Sequence, residues 1–123
     1  MNYKQIALVL SIMAFGISSC VSDVEEELIP VDLTCNTDNV SFSQDVLPII
    51  QANCYQCHDA ATSTAGVNLE GYDRIRAVAI TGTLVGVIDH QPGFSQMPKN
   101  RAKLPICDIE VIKQWIEDGT PQN

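Results

Sequence analysis

The sequence predicts an all-α fold of three to four short helices, and three observations carry that prediction. The apolar positions Phe42, Val46, Ile49 and Ile50 are spaced i, i+4, i+7, i+8, which is one face of a helix. A second stripe, Ile109, Ile112, Trp115 and Ile116, has Asp108 as a cap and Gly119 as a stop. The chain has 123 residues, enough for one domain and no more, and the apolar pieces between the two stripes are short.

Residues 1–19 read as a targeting segment. Lys4 is the only basic residue of a short leader, and Ile6 to Ile17 is an apolar run of twelve. Such a run is long enough for a signal peptide and too short to span a bilayer. It ends in Ile17-Ser18-Ser19-Cys20, which resembles a bacterial lipobox with Ile17 in place of the usual leucine and Ser19 in place of glycine or alanine. On that reading Cys20 carries lipid and anchors the protein to the outer membrane, facing the periplasm or the cell surface. The alternative is an ordinary signal peptide cut nearby. The following Val21-Ser22-Asp23-Val24-Glu25-Glu26-Glu27 is similar to the export signal of some Bacteroidetes surface lipoproteins. It suits a solvated tether equally well. Residues 20–40 are therefore expected to form an acidic flexible tether and residues 41–123 the folded domain.

Pro48 limits where the first helix starts. With Asp45 as cap, Pro48 falls at the third helical position, where its missing N–H costs nothing, whereas a Ser43 cap would lose a hydrogen bond. This helix leads directly into Cys54-Tyr55-Gln56-Cys57-His58. That order and spacing is the attachment pattern of one c-type haem, in which two thiols add to the porphyrin vinyl groups and the adjacent imidazole binds iron. Cysteines three apart lie on one face of a helical turn, so both sulfurs reach one ring edge. A dithiol redox pair would be preceded by the strand of a βαβ unit, and none precedes this motif. A zinc site would want four ligands. Besides these three the chain offers His90, Cys35 and Cys107, with no second Cys-x-x-Cys.

Residues 59–68, rich in Ala, Thr, Ser and Gly, read as a loop that would wrap the proximal side below His58. Asp73 to Ile80 is a short helix with Asp73 as cap, and Leu84 to Ile88 a second short apolar piece in which Gly86 weakens helicity. Asp89 to Pro105 is the longest irregular stretch, and a loop of that length in a small domain is usually functional. It holds Met97, the only methionine beyond the leader, with Pro98 biasing it toward an extended conformation. Met97 is the candidate second axial ligand, against a gap-filling core role. His90 is the competitor. Bis-histidine ligation would lower the potential, and otherwise His90 is a loop histidine with no metal role. Lys99, Arg101 and Lys103 form either a basic collar around an exposed haem edge or a solvated loop.

In an exported protein disulfides persist. With Cys20 assigned to lipid and Cys54 and Cys57 to haem, Cys35 and Cys107 are left as a candidate disulfide, the alternative being two unpaired thiols. From Cys20 onward six basic and fifteen acidic side chains leave a net charge of −9. This charge argues against nucleic acid as a partner, and a redox protein with a basic docking surface suits the chain better. A domain of about 80 residues with such short helices buries too little apolar surface alone, so a covalently held porphyrin would complete the core.

The stretches Asp-Val-Leu-Pro-Ile-Ile-Gln-Ala-Asn-Cys-Tyr-Gln-Cys-His and Met-Pro-Lys…Cys-Asp-Ile-Glu-Val-Ile-Lys-Gln-Trp-Ile-Glu-Asp-Gly resemble the cytochrome c domains of exported Bacteroidetes and Planctomycetes proteins. Over roughly residues 41 to 119 the chain looks like a small monohaem class I c-type cytochrome. The resemblance implies a cytochrome c-like fold with crossing first and last helices. It implies haem c on Cys54 and Cys57, with His58 as proximal and Met97 as distal ligand. Crossing helices would also bring Cys35 and Cys107 together. The expected function is one-electron transfer, with no catalytic residues. Two rivals remain. One is a peroxidase-like or small-ligand-binding protein with a labile sixth site and His90 as distal acid/base. The other is a haem-free surface lipoprotein with structural cysteines.

Overall fold

The computed structural model describes residues 34–123. The expected leader, the lipid site Cys20 and most of the expected tether lie outside the described residues. Within them the chain is all-α. A π-helical turn, Phe42–Val46, runs into α1, Leu47–Asn53; α2 is Tyr55–His58, α3 Tyr72–Ile80, α4 Thr83–Ile88 and α5 Ile106–Glu117, with a 3₁₀ turn at Thr64–Gly66. None of these helices is long and apolar enough to cross a membrane.

The first helix begins earlier than a cap at Asp45 predicts. Ser41 is the cap: its Oγ accepts from the Gln44 amide at 3.3 Å, and the Asp45 carboxylate accepts from the Ser41 amide at 2.7 Å. The backbone is wound wide here, with the Val46 amide reaching the Ser41 carbonyl and the Leu47 amide reaching that of Phe42. That winding is why Pro48 is tolerated, since a regular α-helix would press the Gln44 carbonyl against its ring. Asp73 and Asp108 likewise lie in the first turns of α3 and α5, while Gly71 and Pro105 occupy the cap positions. A carboxylate in a first turn favours the helix dipole without serving as the cap. Helix α4 forms through Gly86, where an added Cβ would lie 2.5 Å from Cγ of Phe94.

The two predicted stripes meet in the core. Phe42, Val46 and Ile50 are buried with Ile109, Ile112 and Trp115, while Ile49 and Ile116 pack at the margin. The π-turn packs directly on α5, and α4 bridges α3 and α5. Phe42 sits 5.0 Å from Tyr72 and 5.5 Å from Trp115, ring centre to ring centre. Edge-to-face and tilted arrangements of this kind add about 0.5–1.5 kcal/mol per pair beyond burial. Polar ends of these rings are satisfied by the tail: Tyr72 Oη donates to the Thr120 carbonyl at 2.6 Å and Trp115 Nε1 to that of Pro121 at 2.9 Å. A disulfide joins Cys35 to Cys107, with Cα atoms 5.1 Å apart, and Val40 is buried. The packed unit therefore reaches back to Cys35, ahead of the expected boundary at residue 41.

Candidate functional site

Helix α1 ends at Cys54, whose φ of −119° and ψ of −36° mark a kink, and α2 restarts at Tyr55. The Cys57 and His58 amides both donate to the Cys54 carbonyl, at 3.1 and 2.9 Å. The whole motif thus lies on one tight turn. Cys54 is half-buried and Cys57 exposed, both as free thiols.

His58 is held by the loop beneath it. Its Nδ1 lies 3.2 Å from the Val67 carbonyl, and its own carbonyl accepts from the Leu69 amide at 2.7 Å. A carbonyl only accepts, so Nδ1 donates here and Nε2 is the nitrogen left available to a metal. That arrangement is the usual one for a metal-binding imidazole. The loop is knitted to present Val67. Asp59 Oδ1 accepts from the Thr62 amide at 2.6 Å, which holds this carboxyl below the usual range, and the Glu70 carboxylate accepts from the Ala60 amide at 2.9 Å.

Two cavities, of about 140 and 440 Å³, share Cys54, His58, Ile88 and Met97 in their walls. Together they fall in the range of cofactor sites, roughly 300–1,000 Å³. The smaller is closed by Leu69, Val78, Leu84 and Val87 and is almost wholly apolar. Cys57 lines the larger, with Lys99 and Arg101. Met97 is fixed by its backbone: its amide donates to the Val87 carbonyl at 3.0 Å, and its carbonyl lies 3.0 Å from Nε2 of His90. His90 itself lines neither cavity.

Cys54, Cys57, His58 and Met97, set on largely apolar walls, are residues that could hold a porphyrin. Among the described residues no group of three or more His, Cys, Asp or Glu side chains gathers as a bare cation requires. A porphyrin iron asks the protein only for axial ligands, and its apolar ring asks for apolar walls. Burial pushes the Cys54 thiol up to about 11, partly offset by Arg101.

Of the three basic loop residues, Lys103 is taken up by an ion pair with Asp89, which also pairs with Lys113 at 3.2 Å. These two lysines hold the Asp89 carboxyl down at about 2. Only Lys99 and Arg101 remain beside the larger cavity. The sequence pointed to the loop below His58 but not to Val67, because a backbone carbonyl leaves no trace in residue type. Comparison with protein-family models, curated proteins and solved structures finds no match to this chain.

Proposed function

We propose that the chain is an exported monohaem c-type cytochrome, a one-electron carrier with a cytochrome c-like fold, anchored through lipid on Cys20. The observation that carries this reading is His58: its imidazole is set by the Val67 carbonyl as an Nδ1–H tautomer, on walls shared with Cys54 and Met97. When bound, haem would supply a ferric/ferrous couple. Cys54 and Cys57 would hold it by thioether bonds, and His58 Nε2 and the Met97 thioether would be its axial ligands.

The residues around these four serve electron transfer by keeping still. Val67 fixes the ring orientation of His58, and the Val87 carbonyl fixes the backbone of Met97. Apolar walls from α3 and α4 exclude water, which keeps reorganisation small when the charge of the site changes. With His90 outside both cavities, the acid/base role that a peroxidase-like site would give it has no support in the geometry. The acidic surface suits a partner with a basic docking patch.

The test is to produce the full chain together with a c-type haem maturation system, and to compare it with Met97→Ala. A mass increase of one haem that survives denaturation, and a ferric methionine–iron charge-transfer band absent from the variant, are expected. A chain that acquires no covalent haem overturns the reading. A haem-loaded protein whose band survives in Met97→Ala removes Met97 from it.

A further inference from the structure

Met97 lies in the middle of a long irregular loop, yet its peptide is held on both sides. The amide donates to the Val87 carbonyl at the end of α4, and the carbonyl faces Nε2 of His90 at 3.0 Å. The acceptor being a carbonyl, Nε2 must carry the proton and donate. His90 is half-buried and has a φ of +56°, in the left-handed region that non-glycine residues seldom occupy. Such a conformation persists where the surroundings demand it. Here it lets the chain turn straight out of α4 while the imidazole reaches seven residues along to Met97.

We propose that His90 is the positioning residue of Met97: it donates from Nε2 to the Met97 carbonyl and so holds the thioether ready for iron, without binding iron itself. This deepens the haem reading and rests on it. Of the two bonds that fix Met97, the one to Val87 is backbone to backbone and belongs to the fold. The other depends on one side chain, so His90 is the lever by which the sequence sets how firmly the sixth position is kept. Were Met97 to give up the sixth position with the loop swinging out, the bond to His90 would be lost with it. Its net worth therefore counts directly against any outside ligand that competes for that position.

The experiment uses the haem-loaded full chain with His90 replaced by Gln, which keeps an N–H donor, and by Leu, which does not. Both replacements bear a similar backbone strain at φ +56°, so the difference between them isolates the donor. Ferric protein is titrated with imidazole while the methionine–iron band is followed. The wild type and H90Q are expected to resist imidazole alike, and H90L to bind it roughly two- to tenfold more tightly, the range for one net hydrogen bond. If H90L matches the wild type, or H90Q matches H90L, the positioning role is overturned while the haem reading stands. A wild type that takes haem but shows no methionine–iron band overturns the positioning role and removes Met97 from the haem reading, and a chain that takes no covalent haem overturns both. Nitrogen-15 NMR of wild-type His90 decides independently of any variant: a proton on Nε2 shielded from exchange is expected, and an unprotonated Nε2 at neutral pH overturns the proposal.

Discussion

Replacing Gly86 with alanine sets two effects of opposite sign against each other. In the interior of a helix alanine is favoured over glycine by up to about 1 kcal/mol, so in an open site the change would stabilise α4. At this site the new methyl would lie 2.5 Å from Cγ of Phe94 and 2.6 Å from both its Cδ atoms. These are the ring atoms nearest the backbone, so turning the ring does not clear the clash and the loop itself must move. Overpacking of this kind costs typically 1–3 kcal/mol, which leaves Gly86→Ala destabilising by roughly 0–2 kcal/mol. In a Phe94→Ala background the obstacle is gone, and the same change should stabilise by up to about 1 kcal/mol. A double-mutant cycle on the haem-loaded chain, read by urea or thermal unfolding, should give a coupling of about 1–3 kcal/mol. Each kcal/mol moves the midpoint by about 4–8 °C in a domain of this size. An alanine that stabilises both backgrounds equally would refute the seating of Phe94 on α4. On the proposed haem reading, Phe94 lies shortly before the axial Met97, so the single variant should also weaken the methionine–iron band, and the double variant should not restore it.

Cys35→Ser should lower stability by roughly 2–4 kcal/mol, since the bridge to Cys107 closes a separation of 72 residues, and the loss should be reproduced by reducing the wild type before urea unfolding. Tyr72→Phe removes the bond to the Thr120 carbonyl and little else, so a loss of about 0.5–1.5 kcal/mol is expected by the same assay. The Asp89 carboxyl is held well below its unfolded value by Lys103 and then Lys113. Its contribution is therefore complete above the ordinary carboxylate range and disappears as the pH falls from about 4 toward 2. Asp89→Asn should flatten that part of the urea midpoint–pH curve, and an unchanged slope there would mean the pairs contribute nothing.

The two helical stripes were legible because burial on one face imposes a period on residue type, and Val46, Ile50, Ile109, Ile112 and Trp115 are buried as that period requires. Cys54, Cys57 and His58 stood out as a candidate haem-attachment site because that chemistry needs adjacent residues in fixed order, and the structure places the three on one tight turn. What escaped was set by backbone groups and by distant neighbours. The wide turn that admits Pro48 depends on which carbonyl each amide chooses, and Ser41 and Asp45 share the capping between them. Gly86 looked like a weakness in a helix, and only its contact with Phe94 explains it. His90 could be weighed as a ligand or a bystander, but not as the partner of a carbonyl, because a carbonyl is the same at every position. The Val67 carbonyl under His58 was hidden for the same reason.

The ion pair at the base of the long loop has a consequence for how the chain can vary. Asp89 grips Lys103, and Met97 is tied to Val87 and His90, so residues 99–102 form a short exposed arc between two fixed points. Lengthening such an arc is cheap, since each doubling costs only about 0.6 kcal/mol in closure entropy. Insertions there leave the anchors on both sides untouched while replacing the outline and charge beside the larger cavity, where Lys99 and Arg101 now stand. The arc is thus a site of graftable diversity, where a different recognition surface can be fitted to the same core without refolding it.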